Sequence, residues 1–195
     1  GGSAQNTAQS AKNCKNINEL VFTHEITDFS KVQSITPPGS KVGGRDQYKG
    51  HAFINTNHAR VPIYAPVDII LESGSYYTGS NGVSQYILNF RIKDFCGMAL
   101  RFDHVTEPIE SIKNILSPVA KTLEDTRSDP VTKEITFQAG EEIGKTTGTG
   151  MEFAGNWDFG VYNLSTPGIL AALGAYGQHG YAVCPFDFYP DKDRY

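Results

Sequence analysis

The sequence predicts a mainly β domain of short antiparallel strands with few, short helices. Three observations carry this. Residues 84–92 (SQYILNFRI) and 98–105 (MALRFDHV) alternate apolar and polar side chains, the period of a half-buried strand. The residues between them, 93–97, suit a hairpin loop. In 195 residues there are 20 Gly, 10 Pro, 10 Tyr and 11 Phe, which favours short strands joined by turns over long helices.

The chain then reads in order. Residues 1–16, rich in Ala, Gln, Asn, Ser and Lys, form a flexible lead-in, with Gly1-Gly2-Ser3 as a tag remnant. Leu20-Val21-Phe22 reads as a strand. Thr36-Pro37-Pro38-Gly39-Ser40 and Gly43-Gly44 read as turns. In residues 61–71 the prolines at 62 and 66 forbid a central strand and place edges or turns there. In the two alternating runs, Tyr86, Leu88 and Phe90 share one face, and Met98, Leu100, Phe102 and His104 share another. Ile109, Ile112, Leu116 and Val119/Ala120 fall at helical spacing, interrupted by Pro118. Residues 125–129 form a charged loop, 137–144 a turn before a short apolar stretch, and 146–150 a glycine turn. Residues 157–162 are a strand and 169–176 a short helix or turn. The aromatic tail, 181–195, packs back over one edge or end of the β core.

Composition bounds the function classes. The length fits one domain, and such a domain folds without a metal or disulfide. Hydrophobic residues at 39% and charged residues at 19% are a globular balance, not a disordered one. With 17 Lys+Arg against 21 Asp+Glu the net charge is −4, and no basic stripe exists, so nucleic-acid binding is excluded. No apolar run approaches the ~18 residues of a membrane-spanning helix. Cys14, Cys96 and Cys184 form no CxxC. They are either buried thiols or one disulfide plus a thiol, with Cys96–Cys184 the favoured pairing in a secreted protein.

The GxSxG, Walker and HExxH signatures are absent, and GKTTGTG at 144–150 lacks the Gly-Lys-Ser/Thr ending of a phosphate loop. An ordered set of segments does stand out: 50–55 (GHAFIN), 61–68 (VPIYAPVD), 102–105 (FDHV), 139–144 (AGEEIG) and 156–161 (NWDFGV). Their order and spacing resemble the lysostaphin-like M23 zinc metallopeptidase family over about residues 40–163. The resemblance implies an antiparallel β-sandwich or barrel-like sheet of the duplicated hybrid motif type. It divides the chain into the lead-in 1–16, a β domain 17–163 with its core at 40–163, and a C-terminal extension 164–195 packed on the core. In that family a His-x-x-x-Asp pair and the second His of a His-x-His strand hold zinc, and two further His assist the attacking water. By this match His51 is a metal ligand, Asn55 stands for the ligand Asp, and Asp158 stands for the ligand His. His104 is the assisting His, and Asn156 stands for the other. Tyr64 and Trp157 line the groove with them.

These replacements weaken the chemistry. An amide oxygen is a poor zinc ligand, and a catalytic zinc normally has three firm protein ligands and an open position. Asn156 relays no proton near neutral pH, which leaves His104 alone as acid or base. The expected cofactor is therefore none, with zinc or another divalent metal as the alternative. The residues also have plainer readings. His51 suits a surface turn, His104 a core or cleft histidine, Asp158 a solvent-facing strand position, and Asn55 and Asn156 loop hydrogen bonds. His24 and His58 read as surface residues and His179 as a turn residue. The favoured function is a catalytically degenerate, M23 peptidase-like extracellular domain that binds a peptide, glycan or protein partner in the old groove. The alternatives are an active metal-dependent peptidase with non-standard ligands and a structural extracellular domain. Secretion, or a periplasmic or cell-surface location with a cell-envelope partner, follows from the resemblance alone.

Overall fold

The computed structural model describes residues 14–41, 47–117, 123–150 and 155–191. The expectations for residues 1–13, for the turn at Gly43-Gly44, for Val119 and Ala120, and for the last four residues of the tail lie outside these.

The architecture is mainly β and antiparallel throughout. β1 (Ser34–Thr36), β2 (Ala52–Asn55), β4 (Ile69–Thr78), β5 (Ser84–Ile92), β6 (Met98–Val105), β8 (Asp129–Phe137) and β10 (Asn156–Asn163) form the main sheet. Their order is β1-β2-β10-β6-β5-β4-β8, and β11 (Ala182–Val183) adds to β10. The sheet is open, with β1 and β8 at its edges. β5 and β6 form over the residues that alternation marks, each pairing on both sides and sending its alternating apolar residues into the core. A smaller sheet has the order β3 (Val61–Tyr64), β9 (Glu142–Thr146), β7 (Glu107–Pro108). Pro62 and Pro108 fall on its two outer strands, where a missing N–H breaks no ladder.

The two sheets share one core. Leu88, Phe90, Leu100, Phe102, Trp157 and Phe159 from the main sheet meet Val61, Ile63 and Ile143 from the small one. Ile112 and Leu116 of α1 (Glu110–Leu116) close one side. Leu20, Phe22 and Ile26 enter from the N-terminal side, and Phe186 and Tyr189 from the C-terminal side. Each such side chain, fully buried, contributes about 1.5–3 kcal/mol. The Phe22 ring packs between these arms, 5.2 Å from Phe188 and 5.4 Å from Tyr189, centroid to centroid.

Several expectations are corrected. Leu20-Val21-Phe22 is not a strand. Its in-out-in pattern is real, with Val21 exposed, but Phe22 N donates to Phe188 O (2.8 Å) rather than to a ladder. The helix ends at Leu116, with Ser117, still in helical backbone, as its C-cap, its N–H donating to Lys113 O. The short helix or turn expected over 169–176 is present as α2 (Ile169–Ala172), which ends before Gly174, whose φ of +89° is a left-handed terminator. The disulfide is Cys14–Cys96, with Cα atoms 5.5 Å apart, and Cys184 is the free thiol. Local anchoring explains the partner. Lys15 N donates to Asp94 O (2.8 Å), and its ammonium lies 5.7 Å from the Phe95 ring centroid, so the end of the lead-in is pinned beside the 93–97 loop. Cys184 caps a 3₁₀ turn at Pro185–Phe188 on the tail instead.

His104 also leaves its expected face. Tyr86 pairs with Val105 and Leu88 with Phe102, so β6 carries one residue more than β5 in this interval. That bulge gives Val105 the core position and turns His104 out of the core, with φ at +62°. Positive φ is uncommon for a residue with a Cβ and marks a position held by its surroundings.

Candidate functional site

β10 builds the floor of the site. Alternation sends Trp157, Phe159 and Val161 into the core and Asn156, Asp158, Gly160 and Tyr162 to the other face. Trp157 is completely buried and stacked on Phe102, so it lines no groove. This corrects the expectation for that residue. Tyr64, half-buried on β3, lines a different depression of about 440 Å³ with Thr23, His24, Glu25, Thr27, Asp28 and Gly140.

Three of the expected residues do converge. Asp158 Oδ2 lies 3.2 Å from His51 Nε2 and 3.5 Å from His104 Nε2. Asn156 joins them, donating from Nδ2 to Asp158 Oδ1 at 3.0 Å. Asn55 does not take a ligand's place. It pairs with Asn156 across the strands, but its Oδ1 accepts from Asn57 N (2.8 Å) and fixes the turn after β2.

The cluster is larger than the sequence reading foresaw. Asp103 lies directly across from Asp158 on β6. Two buried carboxylates face to face would repel, and the surroundings compensate. Arg101 donates to Asp103 Oδ2 (2.9 Å), while Tyr77 OH (2.9 Å) and His104 N (2.7 Å) donate to Oδ1. Gln85 Oε1 accepts from the Thr149 hydroxyl and lies 2.9 Å from His104 Nδ1. His104 thus has oxygens near both ring nitrogens.

The electrostatics follow. Burial pushes the Asp158 carboxyl up, but the neighbouring His51 and His104 outweigh it and hold the group well below the usual carboxylate range. Burial likewise raises Asp103, and His104 and Arg101 overcome it. Burial lowers His51 despite the pull of Asp158, so this ring is neutral near pH 7. Its Nε2 lies 3.2 Å from Asp158 Oδ2, and its buried Nδ1 has no hydrogen-bond partner. Arg101 Nε and Tyr162 OH are likewise buried without a hydrogen-bond partner. A buried polar atom left in this state costs about 1–3 kcal/mol.

His179, from the C-terminal segment, joins the site unforeseen. Its Nδ1 accepts from Gly50 N (2.9 Å), and its ring meets His51 edge to face at 5.6 Å. Gly50 permits this approach, since a Cβ there would come within 2.8 Å of His179 Cα. Burial, then His51, Lys49 and Arg101, push His179 down to about 4. A group whose folded pKa is lowered in this way takes up its proton later than the unfolded chain does. Its contribution is therefore intact above about pH 6.5 and is lost as pH falls toward 4. An NMR titration of the His179 ring is expected to show a midpoint near 4. A midpoint near 6.5 would place the ring in solvent and undo this contact.

The family resemblance implies a zinc, and the donor set bears on whether one fits. Ligand atoms of Asp103, His104 and Asp158 all lie within 4.8 Å of one another. Both Asp103 oxygens already accept hydrogen bonds, and His104 Nδ1 lies at hydrogen-bond distance from Gln85 Oε1. The Arg101 guanidinium stands where a cation would be repelled. Of the expected ligands only His51 and Asp158 face each other, with Asn55 turned to its own loop. These residues do not fit a three-ligand catalytic zinc.

No family model and no curated protein matches the chain. Two solved structures align with it. The one described as "Structure of the SpoIIQ-SpoIIIAH pore forming complex" gives a TM-score of 0.48 at 10% identity, over 88% of this chain and 92% of that one. "Crystal Structure of SpoIIIAH and SpoIIQ Complex" gives 0.44 at 11% identity, over 89% and 99%. At these values neither alignment assigns a family or a function.

Proposed function

We propose that this chain is an M23 peptidase-like interaction domain whose former catalytic centre is a closed network of polar side chains, with a peptide, glycan or protein as its partner. One observation carries the reading. The Asp158 carboxylate stands between two imidazoles and takes hydrogen bonds from its own neighbours, in the place where the family resemblance puts a metal centre. His51 and Asp158 are almost fully buried and His104 nearly so, with side chains 7%, 6% and 16% exposed, which leaves little room for an attacking water. The Cys14–Cys96 disulfide supports an extracytoplasmic setting, since such bonds persist in oxidising compartments. Among the described residues no helix is long and apolar enough to cross a membrane.

An active metal hydrolase is the second reading, favoured by the proximity of Asp103, His104 and Asp158. Metal analysis of protein purified without chelator, beside a His51→Ala control, separates the two. The expected result is no stoichiometric transition metal and no cleavage of peptidoglycan cross-links or glycine-rich peptides. Bound zinc that disappears in His51→Ala would sink the interaction reading. A thermal-shift screen against cell-wall muropeptides and glycans tests the partner class, and a null result across it would favour a purely structural domain.

A further inference from the structure

We propose that the exposed face of residues 164–177 seats on the surface of an anionic lipid bilayer. Ile169, Leu173 and Tyr176 enter the headgroup boundary, and Lys41 and Lys49 meet the lipid phosphates. No residue of the Asp158 cluster belongs to this face, so it stands or falls apart from the non-catalytic reading.

The apolar pattern of this segment points outward. Among the described residues Val21, Val83 and Leu123 are exposed singly, as large apolar side chains commonly are. Four others fall together between 164 and 176: Leu164 at 47%, Ile169 at 76%, Leu173 at 52% and Tyr176 at 66% exposed. Ile169, Ala172, Leu173 and Tyr176 follow the i, i+3, i+4, i+7 spacing that ordinarily faces a core. Here Leu170 and Ala175 turn to the body instead, against the cluster of Ala99, Tyr162 and Ala182, and leave that stripe in solvent. A contiguous apolar patch of this kind marks a contact surface. It is a tip rather than a groove. A Cβ added at Gly174 or Gly177 would meet nothing within 4 Å, and both glycines hold a positive φ.

Charge decides what covers the tip. The chain carries a net charge of −4, yet residues 159–186 contain no Asp, Glu, Lys or Arg. His179, pushed down to about 4, is neutral at pH 7. The neighbouring turn supplies the charge, and it is positive. Gly39 N donates to Lys49 O (2.7 Å) and Lys49 N to Ser40 O (3.1 Å), which closes that turn. It lies along the segment. A Cβ at Gly39 would touch Leu170 Cδ2 at 3.4 Å, Tyr48 packs on the Leu170 cluster, and Gly50 N donates to His179 Nδ1. The turn therefore brings exposed Lys41, whose ammonium lies 4.7 Å from the Tyr48 ring centroid, and half-buried Lys49 to the border of the apolar face. An apolar tip, an aromatic ring with a polar end and a lysine border are the parts of an interfacial anchor. The apolar groups sink about 5–10 Å, the tyrosine sits at headgroup level, and the lysines stay with the phosphates. A second copy of the chain would bring the same lysines and no acid to meet them, so the observations favour lipid.

Vesicle flotation of the full chain tests this. The vesicles are an equal mixture of phosphatidylglycerol and phosphatidylcholine, and phosphatidylcholine alone. Wild type is expected to float with the mixed vesicles at low salt, and roughly tenfold less or weaker with phosphatidylcholine. A lysine at an anionic surface is worth about fivefold in partitioning, so Lys41→Gln with Lys49→Gln is expected to weaken binding to the mixed vesicles by roughly tenfold or more. Ile169→Asn with Leu173→Asn is expected to abolish flotation at an unchanged urea midpoint, since both side chains are exposed. Leu173→Trp reads insertion directly: its emission is expected to move to the blue on mixed vesicles and to be quenched by brominated lipid. Wild type that does not float, or floats equally well as Ile169→Asn, Leu173→Asn, would overturn the proposal. Flotation indifferent to the lysine changes would overturn the anionic class. A wild-type dimer in sedimentation equilibrium that the asparagine pair dissociates, with no flotation, would assign the face to a second copy and overturn the lipid.

Discussion

Asp158→Ala is expected to destabilise the protein by about 3–5 kcal/mol, the usual loss when one partner of a buried charge network is removed. The carboxylate is 4% exposed and is shared by His51, His104 and Asn156. Its removal leaves His51 Nε2, His104 Nε2 and the Asn156 amide without the carboxylate they share. Asp158→Asn keeps the shape but not the charge, and a smaller loss is expected. Urea unfolding measures this, as a lower midpoint at unchanged slope. The pH dependence has a definite sign. Because the folded Asp158 pKa is depressed, its contribution is complete above the unfolded value of about 3.9. It is lost as pH falls through the lower folded value, so wild type and Asp158→Asn converge only in strong acid. A loss of less than about 1 kcal/mol for Asp158→Ala would mean a hydrated carboxylate and an open site. A gain in stability would mark the cluster as strained for function, contrary to the closed network proposed here.

How much of this was legible in the sequence depended on range. β5 and β6 were readable because alternation is local, although both strands bury residues of both faces. The bulge that turns His104 was not, since an extra residue shows only when both strands are paired. His51, His104 and Asp158 were found through segment order, and they do meet. Trp157 was misplaced although the signal was present: next to Asp158 on a strand, it had to face the other way. Arg101 and Asp103 were visible as the polar positions of β6, but alternation alone does not separate a solvated charge from a buried pair. His179 had no local signal. Its role depends on a contact with Gly50 across 129 residues, made by a segment outside the family resemblance. Cys14 was missed for a related reason, because the chain's compositional lead-in hides a segment that is pinned at its end.

Removing the Cys14–Cys96 bridge is the other large effect expected. The cysteines are 82 residues apart, and closing such a loop in the unfolded chain corresponds to about 4.5 kcal/mol in the chain-entropy model. Measured losses for native bridges run to about 2–5 kcal/mol, and the double variant Cys14→Ser, Cys96→Ser is expected in that range. Cys184→Ser, at a half-buried free thiol, is expected to lose less than about 1 kcal/mol. Alkylation of the denatured, unreduced protein should label one cysteine, Cys184, and three labelled cysteines would overturn the pairing. The unfolding slope shows where the effect resides. If Leu20, Phe22 and Ile26 stay packed without the bridge, the native state is unchanged and the unfolded chain alone expands. The urea slope then rises while the midpoint falls. If instead the N-terminal arm comes away from the core, less surface is exposed on unfolding and the slope falls too. The first outcome assigns the bridge to the unfolded state, and the second makes it the clasp that keeps the arm, and with it Phe22, on Phe188 and Tyr189.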